Sequence, residues 1–303
     1  MDTPVSGLTF VARSTSPLPV SNVTNENPMK IKTTLLILSG VVVPVAALLA
    51  GRWLVARQLR RDVDNLFALA STKPVNAYDP AQLTSLPPPV QRYFRHVLKP
   101  GQPYLRTARL RHDGQFKTDL KKDWISITGD EYFLADSPNY MWIGTTTWFS
   151  ACDQYKTARG SLTIRLLSVF TIQRGSGPSY DQGELLRWLA ETAWFPTSLL
   201  PSGPAVWSPI DENSAMLTIT DNGLTVSCRM DFNEIGEIVR CQAQRYSDET
   251  HIQTWVCHFS DYREIHRLRV PTRAGAAWVI DGEEKPYARF TVREMEYDQP
   301  RAY

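Results

Sequence analysis

Residues 215–246 read AMLTITDNGLTVSCRMDFNEIGEIVRCQAQRY, and their alternation decides the fold. Asn222-Gly223 is the favoured two-residue hairpin turn, because both positions need positive φ. It sets Asp221 opposite Leu224 and pairs Ile219 with Val226, Leu217 with Cys228 and Ala215 with Met230, all on one face. Thr218, Thr220, Thr225, Ser227, Arg229 and Asp231 occupy the other face. Turn chemistry and period-two alternation thus choose one register independently. If residues 233–236 form the next loop, Phe232 faces Glu237 and Cys228 lands opposite Cys241, with Val239 and Ala243 on the same apolar face. Three strands then share one buried side.

Outward from this meander, strands are expected at 251–259, 278–280 and 287–297, and earlier at 105–116, 124–133, 140–145, 149–155 and 161–172. One strong helix interrupts them. Residues 181–194 open with Asp181 and Glu184 at capping-box spacing, place Leu185, Trp188, Leu189 and Thr192 along one side, and stop at Pro196. Many antiparallel strands and a single helix predict an α+β fold, a curved, mostly antiparallel sheet packed around one central helix, in residues 99–303.

Ahead of that domain, residues 33–51 read TTLLILSGVVVPVAALLAG without a charge. At about 1.5 Å per residue such a helix approaches the roughly 30 Å hydrocarbon core of a bilayer. Arg52 and Trp53 follow as interfacial anchors, so an N-terminal transmembrane helix is expected over 30–56. A cleaved signal peptide fits less well: the apolar run is long, and Arg52, Arg57, Arg60 and Arg61 follow it at once. Residues 1–29, rich in Ser, Thr, Pro and Asn, read as a disordered tail, and Met29 reads as a natural start. Residues 57–98 read as a helical stalk and connector, whose first helix could equally open the domain or lie on the lipid surface. Leu59, Val63, Leu66, Phe67 and Ala70 keep helical spacing, and a short helix with Val90, Tyr93, Phe94 and Val97 follows Pro87-Pro88-Pro89. A single-pass membrane location follows, with either side open to the C-terminal domain.

Composition excludes several classes. The chain has 303 residues, 43% hydrophobic and 21% charged, with 16 Gly, 21 Pro and 4 Cys, which rules out collagen-like, wholly disordered and disulfide-scaffold proteins. A formal charge of +2 is too balanced for a nucleic-acid-binding surface, so no nucleic-acid partner is expected. Cys152, Cys228, Cys241 and Cys257 form no C-x-x-C, and the five histidines form no H-x-x-x-H, so no metal and no cofactor is expected. Cys228 and Cys241 could be bridged, but on an apolar face buried thiols are the simpler reading. Nucleophile-elbow, P-loop and dinucleotide motifs are absent.

The candidate ligand-binding residues centre on the helix. Glu184, Arg187 and Glu191 share a face, Trp188 and Trp194 bracket the neighbouring stripe, and Asp153, Tyr155 and Arg159 would come from a facing strand. A solvated ladder of i, i+3 and i, i+4 pairs is the plainer reading of the same spacing. Nine tryptophans could line an apolar groove or fill a core.

LPPPVQRYFRHVL (86–98), DQGELLRWLAETAWFPTSLLP (181–201), WSPID (207–211) and the Phe232-Asn233 hairpin with Gly236 resemble a bacterial domain-of-unknown-function family. That resemblance implies a domain boundary and supplies no catalytic residue. In shape, a curved sheet around a helix behind a membrane anchor is similar to bacterial lipoprotein carriers. The expected partners are therefore the lipid bilayer and a hydrophobic small molecule or lipid held in the sheet's concavity. A membrane-tethered hydrolase using Asp153, Glu184 or Glu191, and an interaction domain without a pocket, are the alternatives.

Overall fold

A computed structural model describes residue 1, residues 28–201 and residues 205–303, with side-chain surroundings from Val42 onward. The expected tail lies almost wholly outside the described residues. The chain divides into two compact units, Met1–Leu49 and Ala50–Tyr303. Helix α1 runs unbroken over Pro28–Phe67, with Pro44 inside it. Its 40 residues make roughly 60 Å of helix, and within it Val42–Phe67 is long and apolar enough to cross a membrane. Helix α2, Pro88–Val97, buries Val90, Tyr93, Phe94 and Val97, and Tyr93 packs on Phe232 with ring centroids 5.8 Å apart.

All thirteen strands among the described residues belong to one antiparallel sheet. Six form the first arm: β1 (Thr107–Phe116), β2 (Ile125–Leu134), β3 (Asn139–Thr145), β4 (Phe149–Lys156), β5 (Arg159–Leu166) and β6 (Phe170–Ser176). Seven form the second: β7 (Ala205–Asp211), β8 (Ser214–Asp221), β9 (Leu224–Phe232), β10 (Ile238–Tyr246), β11 (Ile252–Ile265), β12 (Leu268–Ile280) and β13 (Glu283–Tyr297). The two arms are meanders joined where β1 pairs with β13, so β6 and β7 are the outer edges. Helix α3, Pro178–Glu191, and two short 3-10 turns connect those edges. Because α3 packs against β4, β5 and β6 and also against β9 and β10, the sheet curls round it.

The α+β expectation therefore holds, and the first hairpin adopts the expected register, from Asp221↔Leu224 to Ala215↔Met230. Asn222 and Gly223 have φ of 47° and 86°, as their turn type requires. The second hairpin differs. Ile238, not Glu237, faces Phe232, and a bulge between Ile238 and Arg240 slips the pairing once more, so Cys241 opposes Met230. Beyond the bulge the slip totals two, so Cys241 and Ala243 keep their expected buried face, whereas Ile238 takes the core position expected of Val239; all four cysteines are buried and free.

Two further expectations are corrected. Residues 161–172 are two strands, not one, because Leu167 and Ser168 (φ 50° and 60°) turn the chain without glycine. The helix starts at Pro178, three residues before Asp181, and its first residue follows Gly177 at φ 115°. Asp181 is consequently no cap: its carboxylate accepts the Gly160 amide at 2.7 Å and pairs with Arg159 at 3.2 Å, tying α3 to β5.

Between β2 and β4 the sheet is apolar on both sides. Phe133 and Tyr140 face α3, while Tyr132, Leu134, Met141 and Cys152 on the convex side pack against Val63, Leu66 and Phe67 of α1. A strand covered twice reads as the continuous run YFL instead of alternating.

The β11–β12 turn places exposed Arg267 at φ 69°. Left-handed backbone costs a non-glycine residue about 1–2 kcal/mol, partly offset by glycine's greater unfolded entropy. Arg267→Gly is expected to stabilise the fold by about 0.5–1 kcal/mol in urea titration; an unchanged or lower midpoint would contradict the turn assignment.

Candidate functional site

A cavity of about 740 Å³ opens between α3 and the concave face. One wall carries Ile127, Phe149, Ala151, Leu162 and Ile164 from β2, β4 and β5. The opposite wall carries Trp255, Phe259, Trp278 and Phe290 from β11, β12 and β13. The helix contributes Glu184, Arg187 and Glu191, and the loop after β1 contributes Lys117 and Lys122. Strand parity explains the walls: inward positions on both arms are apolar, and the helix between them holds the arms apart.

Under those walls lies a charged floor. The Arg187 guanidinium donates from Nη2 to Glu131 at 2.7 Å, from Nη1 to Asp153 at 2.9 Å and from Nε to Glu191 at 2.8 Å. It also lies over Trp142, 4.9 Å from the ring centroid. Beside it, Arg245 stacks over Trp255 at 4.7 Å and stands 3.6 Å from Glu184, which accepts the Tyr140 hydroxyl. Four carboxyl groups thus meet two guanidinium groups. Asp153 Oδ1 and Arg245 Nε are buried with no hydrogen-bond partner among the described residues.

The excess of acid in a dry site shifts its titration. Burial, and then the Glu184 charge, raise the Asp153 carboxyl to about 7. Burial and the neighbouring Glu191 carboxylate push Glu131 well above the ordinary glutamate range, and burial raises Glu191 as well. Burial, aided by Arg187, lowers His112 to about 4, so its ring is neutral and its Nε2 accepts the Trp142 indole N–H at 2.8 Å. Glu191 Oε2 is likewise buried without a partner among the described residues, so chemically the floor offers two free carboxyl oxygens, one free donor and a carboxyl that can exchange a proton near neutral pH.

Five of the eight sequence candidates line this cavity: Asp153, Glu184, Arg187, Glu191 and Trp194. Three lie elsewhere. The Tyr155 hydroxyl donates to Asp221 at 2.8 Å, the Trp188 indole donates to the Leu134 carbonyl at 3.1 Å inside the core, and the Arg159 side chain is 79% exposed. The Glu184–Arg187–Glu191 ladder is not solvated: the concave sheet covers it, and its partners are strand residues as well as helix ones. Glu131, Tyr140, His112 and Arg245 were not among the candidates. Glu131 and Arg245 did carry a signal, since each sits at an inward position of its strand, in step with Phe133 and with Ala243.

Removing Arg187 strands three carboxyl groups in the floor. Arg187→Met is expected to cost about 3–5 kcal/mol at pH 7 and distinctly less at pH 5, where those groups take up protons; equal cost at both would contradict the ion cluster. Because the folded-state pKa of Asp153 is raised, the folded protein binds the extra proton and stability falls as pH rises from about 4 to 7. Asp153→Asn is expected to flatten that slope, by at most about 1.4 kcal/mol per pH unit, in denaturant titrations across the window.

Three solved structures are similar to this chain. A LolA superfamily protein from Nitrosomonas europaea aligns at 9% identity over 69% of this chain and 91% of its own, with a TM-score of 0.38. A domain from Vibrio parahaemolyticus assigned to outer membrane lipoprotein sorting aligns at 5% identity over 64% and 86%, at 0.37. A DUF1329 family protein from Desulfovibrio piger aligns at 9% identity over 64% and 87%, at 0.38. No curated protein matches the chain. A family model matches residues 76–290, from the connector through β13, and on that match the chain belongs to DUF6544, a family of unknown function.

Proposed function

We propose that this chain is a single-pass membrane-anchored protein whose α+β domain holds a hydrophobic or lipid-like ligand in the concavity of its sheet. The cavity carries the reading. Its volume of about 740 Å³ is that of a small-molecule site, its walls are aliphatic and aromatic, and its floor presents three unpaired polar atoms, on Asp153, Glu191 and Arg245. An apolar body would lie along the walls while a polar end group meets Asp153 and Arg245. The anchor is the apolar run of α1, ended by Arg52 and Trp53 and placed in a bacterial inner membrane.

A second reading, the hydrolase, has one observation in its favour: an Asp153 carboxyl poised near 7 on the cavity wall, beside Glu184. Turnover of a model ester or glycoside that falls on the order of 10²-fold in Asp153→Asn would establish it.

The full chain, purified in non-ionic detergent and examined by native mass spectrometry and solvent extraction, is expected to retain lipid that Ala151→Phe, which fills the cavity, does not retain. A selective ligand must also raise the melting temperature. Protein that is empty, and that no lipid stabilises, would overturn the proposal.

A further inference from the structure

One end of the sheet carries an apolar surface that the core does not use. Register places the β3–β4 and β5–β6 tips together: Thr145 opposes Ser150, Phe149 opposes Leu166, and the Leu167 amide donates to the Trp148 carbonyl at 2.7 Å. From these tips Trp148 (68% exposed), Leu166, Phe170 and Ile172 (61%) project into solvent. Single exposed apolar residues are ordinary, but four on two adjoining hairpins beside the edge strand β6 form a patch that must be covered or aggregate.

Two neighbours say what covers it. First, α1 packs Val63 and Phe67 near Tyr132 and Leu134 at the far end of β2, and three turns earlier it reaches the tips. There a Cβ added to Gly51 would lie 3.0 Å from Val169 at the β5–β6 tip. Gly51 closes the apolar run, and exposed Trp53 and Leu54 follow it, so the tips stand at the level where α1 changes from apolar to basic. Second, the charge beside the tips is basic. Arg165 precedes Leu166 at the β5–β6 tip, and Arg52, Arg57, Arg60 and Arg61 precede the first acid of α1 at Asp62, while the β1–β2 loop at this end mixes Lys117, Lys121 and Lys122 with Asp119 and Asp123. Exposed aromatic and aliphatic tips beside the basic run of α1 match an anionic lipid surface.

The strands that carry the tips also line the cavity. Ile172, Ile164 and Phe149 both belong to the tip strands and line the cavity, and the β1–β2 loop with Lys117 and Lys122 lies at this end because Phe116 opposes Ile125.

We infer that the β3–β4 and β5–β6 tips seat in the interfacial layer of the bilayer that α1 crosses, so that the cavity opens onto the leaflet and receives its occupant from it. This rests on the membrane-anchored ligand-binding reading above. Trp148 and Phe170 are the anchors, and Ile172 continues their surface into the cavity wall.

The test uses the full chain in vesicles of phosphatidylethanolamine and phosphatidylglycerol, with brominated phosphatidylcholine as the quencher. Part of the tryptophan fluorescence is expected to be quenched, and in Trp148→Phe the quenching is expected to fall to the share of the interfacial Trp53; quenching identical in both proteins would overturn the inference. A Trp148→Asp/Phe170→Asp variant is expected to take fluorescent phosphatidylglycerol from vesicles about tenfold more slowly, yet to bind it equally when offered in micelles. Unchanged uptake from vesicles would also overturn it. Failure of even the unaltered chain to bind in micelles would instead remove the cavity reading, while quenching still decides the tips. An unquenched Trp148 with a native mass of two chains would show a second copy covering the patch.

Discussion

The molecule depends on the link between the two edges of its sheet. Strands β6 and β7 are consecutive but lie at opposite ends of a thirteen-strand order, so the segment between them must cross the face. That segment is α3, and its length sets how far the sheet curls. The crossing is fastened to both arms: Trp188 donates to Leu134 of β2, and Trp194 donates to Pro271 of β12. Indole N–H groups buried on a helix need acceptors, and strand carbonyls on either side supply them.

A helix under a curved sheet explains the charged floor. Arg187 and Glu191 form an i, i+4 pair that, at a surface, would be worth a few tenths of a kcal/mol. Covered by β2 and β4, the same pair acquires Glu131 and Asp153, and desolvation makes each partner depend on the others. The floor is therefore a fixed polar end to an otherwise apolar cavity, specific in geometry and costly to disturb.

On the convex side the same strands bury a second, smaller cluster against α1. Both faces of β2, β3 and β4 are thus occupied, by α3 inside and α1 outside. The arm that contains them ends in the exposed tips, and the arm built of β7 to β13 provides the opposite cavity wall. Of α1 it is the C-terminal end, Val63, Leu66 and Phe67 with Leu59 beside them, that packs on this face.

The meander around residues 215–246 was legible because turn type and alternation agree, and the register slip after Phe232 escaped because a bulge leaves no mark on alternation. The β5–β6 turn escaped for a related reason: Leu167 and Ser168 adopt left-handed backbone under tertiary constraint, without the glycine that announces such turns. Of the site, the helix face Glu184–Arg187–Glu191 was visible as spacing, whereas its burial was not. Sequence alone determined the apolar run, the antiparallel meander and the central helix, since each is a local periodicity that solvent and backbone geometry enforce. Only tertiary structure decided that a charged helix face is covered, that Glu131 and Arg245 join it, and that the strands bearing the apolar tips also line the cavity, because those depend on how a long sheet closes on itself.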